Sequence, residues 1–165
     1  MIGRQTVQGC SDESAWSRGQ AWGFYGFTAT YRETKDEKYL EHSKKIAEFL
    51  LNHPNMPDDM IPYWDFNAPD IPDAKRDASS GAIIASALLE LSTYVSDEES
   101  DRYIDAAKKI LFTLANNYRA EKGENGNFIL KHSVGHMNND SEVDVPLTYA
   151  DYYFIESLLR LRNLL

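Results

Sequence analysis

An internal echo constrains this chain more than any other feature: Tyr39-Leu40-Glu41-His42-Ser43-Lys44-Lys45-Ile46 returns as Tyr103-Ile104-Asp105-Ala106-Ala107-Lys108-Lys109-Ile110. Each copy carries its apolar residues at helical spacing, and each follows a segment that also reads as helix. Each unit is then a helix pair, an interior helix followed by an exterior one. Such a pair cannot bury its apolar face alone, so the echo calls for stacked helix hairpins in a solenoid or toroid. The expected fold class is all-α.

Residues 14 to 33 read as an aromatic-rich helix containing Trp16, Phe24, Phe27 and Tyr31. After the break at Glu33-Thr34-Lys35-Asp36, a second helix runs from about Glu37 to Leu51 with Asp36 as its N-cap. Tyr39, Leu40, Ile46, Ala47, Leu50 and Leu51 lie near one face of it. A third, from about Ser79 to Tyr94, is small on one face at Gly81, Ala82, Ala85 and Ala87, so a neighbour can approach closely. A fourth covers about Ser100 to Tyr118. The last, about Leu147 to Leu164, ends in Leu158-Leu159-Arg160-Leu161, an echo of Leu88-Leu89-Glu90-Leu91, and is an interior helix without a partner.

Between the second and third helices, His53 to Asp77 holds Pro54, Pro57, Pro62, Pro69 and Pro72, which rule out a continuous helix. Tyr63-Trp64-Asp65-Phe66 is too aromatic for disorder, and a connection of this length inside a compact domain is usually functional. It is expected at the rim of a cleft. After a turn at Gly123 to Gly126, Phe128 to Leu130 reads as a short extended piece and His132 to Asp144 as polar loop.

With 165 residues and 42% hydrophobic side chains, the chain suffices for one domain with a core, taken as residues 1–165. A formal net charge of −9 argues against a nucleic-acid or anionic-membrane partner, both of which require a basic footprint. The single cysteine, Cys10, permits no internal disulfide and reads as a small filler. No apolar run is long enough to span a bilayer, and Met1-Ile2-Gly3-Arg4 opens no signal-peptide core, so a cytoplasmic location is expected.

The chemistry concentrates in Gln8-Gly9-Cys10-Ser11-Asp12-Glu13-Ser14-Ala15-Trp16-Ser17-Arg18-Gly19-Gln20-Ala21-Trp22-Gly23. Arg18 offers a planar fork suited to a carboxylate or sulfate, and Trp16 and Trp22 offer flat apolar faces on which sugar rings lie. Together they suggest an anionic sugar. One bidentate pair inside a cleft can outweigh an unfavourable diffuse field that salt screens within roughly 10 Å.

This segment resembles the unsaturated glucuronyl hydrolase family, whose members carry a Gln-Gly stretch followed by an Arg-Gly-Gln-x-Trp run. The likeness continues through Pro62-Tyr63-Trp64-Asp65-Phe66, Arg76-Asp77-Ala78-Ser79-Ser80 and Asp144-Val145-Pro146-Leu147 to Asp151-Tyr152-Tyr153-Phe154-Ile155-Glu156. The resemblance implies part of an (α/α)6 toroid, corresponding to the carboxy-terminal half of a longer glycoside hydrolase. It also implies the substrate, an oligosaccharide ending in a 4,5-unsaturated uronic acid, as polysaccharide lyases release from glycosaminoglycans. An aspartic acid protonates C4, water adds at C5, and the resulting hemiketal collapses to free the next sugar, a route distinct from displacement at the anomeric carbon. The two aspartates central to that chemistry belong to the amino-terminal half of the family, and no segment here resembles their motifs, so this chain alone is expected to be inactive.

On the same resemblance, Gln8 is the catalytic candidate, orienting water, and Arg18, Trp22, Trp64, Ser133 and His136 are candidates for holding substrate. Ser133-Val134-Gly135-His136-Met137-Asn138 stands where some members have a Ser-x-x-Ser-x-Lys pattern for sulfate. Here the first serine is kept and the lysine is lost. Asp65, Asp77 and Asp151 are the carboxylates to consider as stand-in acids, with helix capping the simpler reading of Asp77 and structural anchoring that of Asp151. His132 and His136 share a loop without a third ligand, so neither a metal nor a cofactor is expected. Rival readings are a related toroid enzyme, such as an unsaturated rhamnogalacturonyl hydrolase or a sugar epimerase, and a non-catalytic carbohydrate-binding remnant. An open flank of inner helices predicts self-association.

Overall fold

The computed structural model describes Gly3 and residues 5–165, so Met1, Ile2 and Arg4, part of the segment read above for targeting, lie outside the described residues. Five α-helices carry the fold: α1 Ser17–Thr34, α2 Glu37–Asn52, α3 Ala78–Leu91, α4 Asp97–Thr113 and α5 Thr148–Leu164. α3 packs against α1, α4 and α5, and every one of its residues is buried. Its sequence explains this: serine, glycine and alanine between Ala78 and Ala87 let neighbours close on several sides, and Ile83, Ile84, Leu88, Leu89 and Leu91 fill the remaining space. α1, α3 and α5 form the inner layer and run in parallel. Arg18 near the start of α1 meets Asp77 just before α3, while Arg32 near the end of α1 meets Glu90 near the end of α3. Arg160 of α5 bonds Glu90 as well.

The exterior helices repeat each other closely. The burial pattern of residues 41–50 recurs residue for residue at 101–110, equating Ser43 with Tyr103, Ala47 with Ala107 and Leu50 with Ile110. The sequence echo pairs Tyr39 with Tyr103 instead, and so lies about one helical turn out of structural register. A shift of about 3.6 residues returns a helix to the same face, which is why the echo survives the displacement.

Caps decide most boundaries. Asp36 accepts from the Lys38 N–H at 3.1 Å, as expected. Ser96 accepts from the Glu99 N–H and donates to the Glu99 carboxylate at 3.0 Å, a reciprocal cap that starts α4 before the expected Ser100. α1 begins at Ser17 and not at Ser14, because the preceding backbone is engaged by the long connection: Phe66 N–H donates to the Ala15 carbonyl and Ser17 N–H to the Trp64 carbonyl. The joint at Lys35 and Asp36 and the short passage from α3 to α4 lie at one end of the bundle. The long connections 53–77 and 119–147 lie at the other, with the starts of the inner helices.

One element departs from the expected all-helical pattern. The stretch read as polar loop forms an antiparallel hairpin, β1 Ser133–His136 and β2 Ser141–Val145, with a register irregularity between Ser133 and Val134. The expected extended piece makes only an isolated bridge between Arg119 and Leu130. On α5 the face carrying Tyr152, Ile155, Leu158 and Leu159 is exposed. The self-association expected from an open flank finds no support. No described helix is long and apolar enough to cross a membrane.

Candidate functional site

The residues singled out above converge at the end where α1, α3 and α5 begin. Asp65 is fully buried, and its oxygens accept from Cys10 N–H at 2.9 Å, Ser14 Oγ at 2.7 Å and Asn67 N–H at 2.8 Å. It braces the 8–16 segment against the long connection. Trp64 and Tyr63 are buried, at 5% and 7% exposure, where the sequence suggested an accessible rim. Partial burial raises the Cys10 thiol above its ordinary range, and its Sγ donates to the Asn67 carbonyl at 3.4 Å.

Arg18 is 3% exposed, and its donors turn inward. Nη1 donates to Asp77 Oδ2 at 3.1 Å and to the Val134 carbonyl, and Nη2 donates to the Gly135 carbonyl. Its guanidinium lies 4.8 Å from the Trp16 ring and 5.5 Å from the Tyr149 ring. Gly19 makes the first of these contacts feasible, since a Cβ there would stand 2.6 Å from Trp16 Cε3. Gln8 donates through Nε2 to the Gly135 carbonyl at 3.1 Å.

Asp77 is fully buried and does more than cap. Oδ1 accepts from Ser79 N–H at 3.1 Å, Ser79 Oγ at 2.6 Å and Val134 N–H at 3.4 Å, while Oδ2 accepts from Ser80 Oγ at 2.8 Å besides Arg18. Asp151 binds Ile129 N–H at 2.8 Å and Leu130 N–H at 2.9 Å. All three candidate acids thus spend their oxygens as acceptors within the framework. Ser133 Oγ and His136 Nδ1 are buried atoms with no hydrogen-bond partner among the described residues. Among those residues no three His, Cys, Asp or Glu side chains gather as a metal-binding group.

Trp22 stands on the side of α1 that meets α5. Its ring lies 6.0 Å from Tyr149 and 5.2 Å from Tyr153, edge-on to the latter, and Tyr25 continues the row 5.0 Å from Tyr153. Below them Glu156 accepts from Tyr25 Oη at 3.2 Å, Tyr152 Oη at 3.4 Å and Ser86 Oγ, with Arg160 at 3.6 Å. Burial, then the Glu156 charge, pushes the Tyr25 phenol up to about 12. These half-buried rings, with polar rims, make a surface suited to the apolar face of a sugar.

No family model matches the chain. It is 46% identical over 163 residues to an unsaturated glucuronyl hydrolase of Formosa agariphila, covering 98% of this chain and 40% of the relative. A crystal structure of an unsaturated glucuronyl hydrolase specific for heparin superposes with a TM-score of 0.95 at 52% identity, covering 99% of this chain and 44% of that one. Along almost its whole length the chain is similar to unsaturated glucuronyl hydrolases. It spans well under half the length of these relatives. A family structure from Streptococcus agalactiae, solved with dGlcA-GalNAc6S bound, superposes with a TM-score of 0.84 at 34% identity over 97% of this chain and 42% of that one.

The α1–α5 platform is only partly legible in the sequence. The sequence marks Trp22 by itself, places Tyr153 and Glu156 only within the Asp151 to Glu156 likeness, and gives Tyr25 and Tyr149 no role of their own. Their signal was present as the run Tyr149-Ala150-Asp151-Tyr152-Tyr153, polar aromatics opening an inner helix, and it needed the neighbouring helix to become a surface.

Proposed function

We propose that this chain is the sugar-holding portion of an enzyme that hydrolyses oligosaccharides ending in a 4,5-unsaturated uronic acid, corresponding to the carboxy-terminal half of such an enzyme. The observation that carries this reading is the likeness to unsaturated glucuronyl hydrolases along almost the whole chain, which includes the Gln8 to Gly23 segment. The platform of Trp22, Tyr149 and Tyr153 supports it, because ring faces of this kind stack on sugars. On this reading Gln8, Trp64, Ser133 and His136 shape the surrounding pocket, with Gln8 nearest the water that adds at C5.

The chemistry needs a positioned acid to protonate C4, an effect worth on the order of 100- to 10,000-fold. Asp65 and Asp77 are enclosed, and Asp151 is held by two backbone N–H groups, so none presents a proton to the platform. The acid comes from outside these residues. The similar enzyme specific for heparin makes a heparin-derived unsaturated disaccharide the first substrate to test. Hydrolysis destroys the conjugated double bond and its ultraviolet absorbance. The pure chain is expected to leave that absorbance unchanged while binding the disaccharide weakly. Turnover would place the acid within this chain, and absence of both turnover and binding would overturn the sugar-holding role.

A further inference from the structure

We propose that Glu156 is a positioning residue: its carboxylate holds the phenols of Tyr25 and Tyr152, keeps Tyr153 gripped between their rings, and so sets the face that Tyr153 and Trp22 offer to a sugar. Tyr25 Oη donates to Glu156 Oε1 at 3.2 Å, and Tyr152 Oη donates to the same oxygen at 3.4 Å. Both of these rings stand edge-on to Tyr153, at 5.0 Å and 4.9 Å. Trp22 meets Tyr153 edge-on as well, at 5.2 Å. Three rings thus converge on Tyr153, and two of them end on one atom of Glu156.

The carboxylate is fixed in turn. Oε2 accepts from Ser86 Oγ on α3, and Arg160, one turn further along α5, stands 3.6 Å away. Arg160 is itself tied to Glu90 and to the Ser86 carbonyl, and it donates to Tyr25 Oη at 3.4 Å. Glu156 therefore draws side chains of α1, α3 and α5 to one point. Edge-on ring contacts alone do not supply such order, since each is worth roughly two- to tenfold in an equilibrium. Tyr152 makes the need plain: it is 59% exposed, and the bond to Glu156 supplies what burial does not. The Tyr25 phenol, pushed up to about 12 by burial and then by the Glu156 charge, remains a donor at neutral pH. Both phenol bonds are longer than a typical O–H···O, so the expected effect of losing them is several-fold and not thousands-fold.

Only the sugar in this inference rests on the proposed activity; the grip on Tyr153 does not. The test uses the 165-residue chain with fluorinated tryptophan at Trp16, Trp22 and Trp64, read by fluorine NMR and assigned with Trp22→Phe. Glu156→Met removes both acceptor oxygens at nearly constant length, and Glu156→Gln keeps one for the phenols. In Glu156→Met the Trp22 signal is expected to shift or broaden while those of Trp16 and Trp64 stay in place, and Glu156→Gln should restore it towards wild type. A Trp22 signal that stays put in Glu156→Met, or equal changes at all three tryptophans, overturns the grip. If Glu156→Met fails to fold, Tyr25→Phe combined with Tyr152→Phe, which removes both donors and keeps both rings, is read the same way.

Titration with a heparin-derived unsaturated disaccharide separates this inference from the functional reading. The Kd is expected to rise on the order of fivefold in Glu156→Met and to stay within about twofold of wild type in Glu156→Gln. Undiminished binding beside a displaced Trp22 signal overturns the positioning role. No binding by wild type overturns the functional reading instead, and the fluorine spectrum alone then decides whether Glu156 holds the rings.

Discussion

Gln8 and Arg18 end on the same atom, the carbonyl oxygen of Gly135. Residues far apart from the hairpin in sequence thereby fix one point of it, and Gly135 suits that point because a Cβ there would run into Glu142 from the opposite strand. The site is assembled as much by what its polar side chains hold inward as by what they present outward.

Gly19→Ala sets two effects against each other. Alanine gains about 1 kcal/mol of intrinsic helix propensity. Its Cβ, however, would press on the Trp16 ring at 2.6 Å, and overpacking of this kind costs about 1 to 3 kcal/mol. The net expectation is a lower urea midpoint with loss of the Trp16–Arg18 contact. A variant more stable than wild type would show that the ring moves aside freely.

Glu90 is 7% exposed and joins Arg32 of α1 to Arg160 of α5, whereas Glu99 pairs with Lys44 at 33% and 30% exposure. Glu90→Gln is therefore expected to cost about 1 to 3 kcal/mol, reduced from the full cost of breaking a buried pair because Arg32 reaches solvent. Glu99→Gln should cost under about 1 kcal/mol. Thermal unfolding of the two variants side by side checks the ratio.

Asp65→Asn replaces one acceptor oxygen with an amide donor where Cys10 N–H, Ser14 Oγ and Asn67 N–H all converge. A donor facing donors in a buried site costs about 1 to 3 kcal/mol. The expected signature is a lower melting temperature with faster proteolysis in the 8–16 segment, and equal stability would mean that Asp65 does not brace it.

Acid should loosen the base of the hairpin. Lys75, at 2.8 Å, and then His132, at 2.7 Å, hold the Asp144 carboxyl below its ordinary range. Its stabilising contribution is complete above the unfolded value of about 4 and is lost as pH falls through the lower folded value. Amide hydrogen exchange in the hairpin, corrected for intrinsic rate, is expected to rise in that window for wild type. Lys75→Ala should flatten the dependence, and an unaltered profile would remove Lys75 as its cause.

The helices were legible because period, caps and breaks agreed: Asp36 caps α2, and the small residues of α3 announced its burial. The hairpin was not, since its strands lack an apolar alternation and are held by side chains from residues 8, 18, 75 and 77. Arg18 shows the same limit within the site. Its need for planar acceptors could be read from the sequence, but only the fold reveals that backbone carbonyls and Asp77 supply them. Asp77 and Asp151 were read as structural carboxylates from their places before and within helices, and their hydrogen bonds are of that kind.

Short joints at one end and long connections at the other divide the molecule into a chassis and its fittings. Both 53–77 and 119–147 leave from and return to the end where the inner helices start, so exchanging either rewrites the surface there while α3 keeps its neighbours. Transplanting these loops between relatives is thus the least disruptive way to redirect such a bundle toward another ligand. The transplant must carry its anchors with it, because a hairpin moved without Arg18 and Asp77 arrives unfastened.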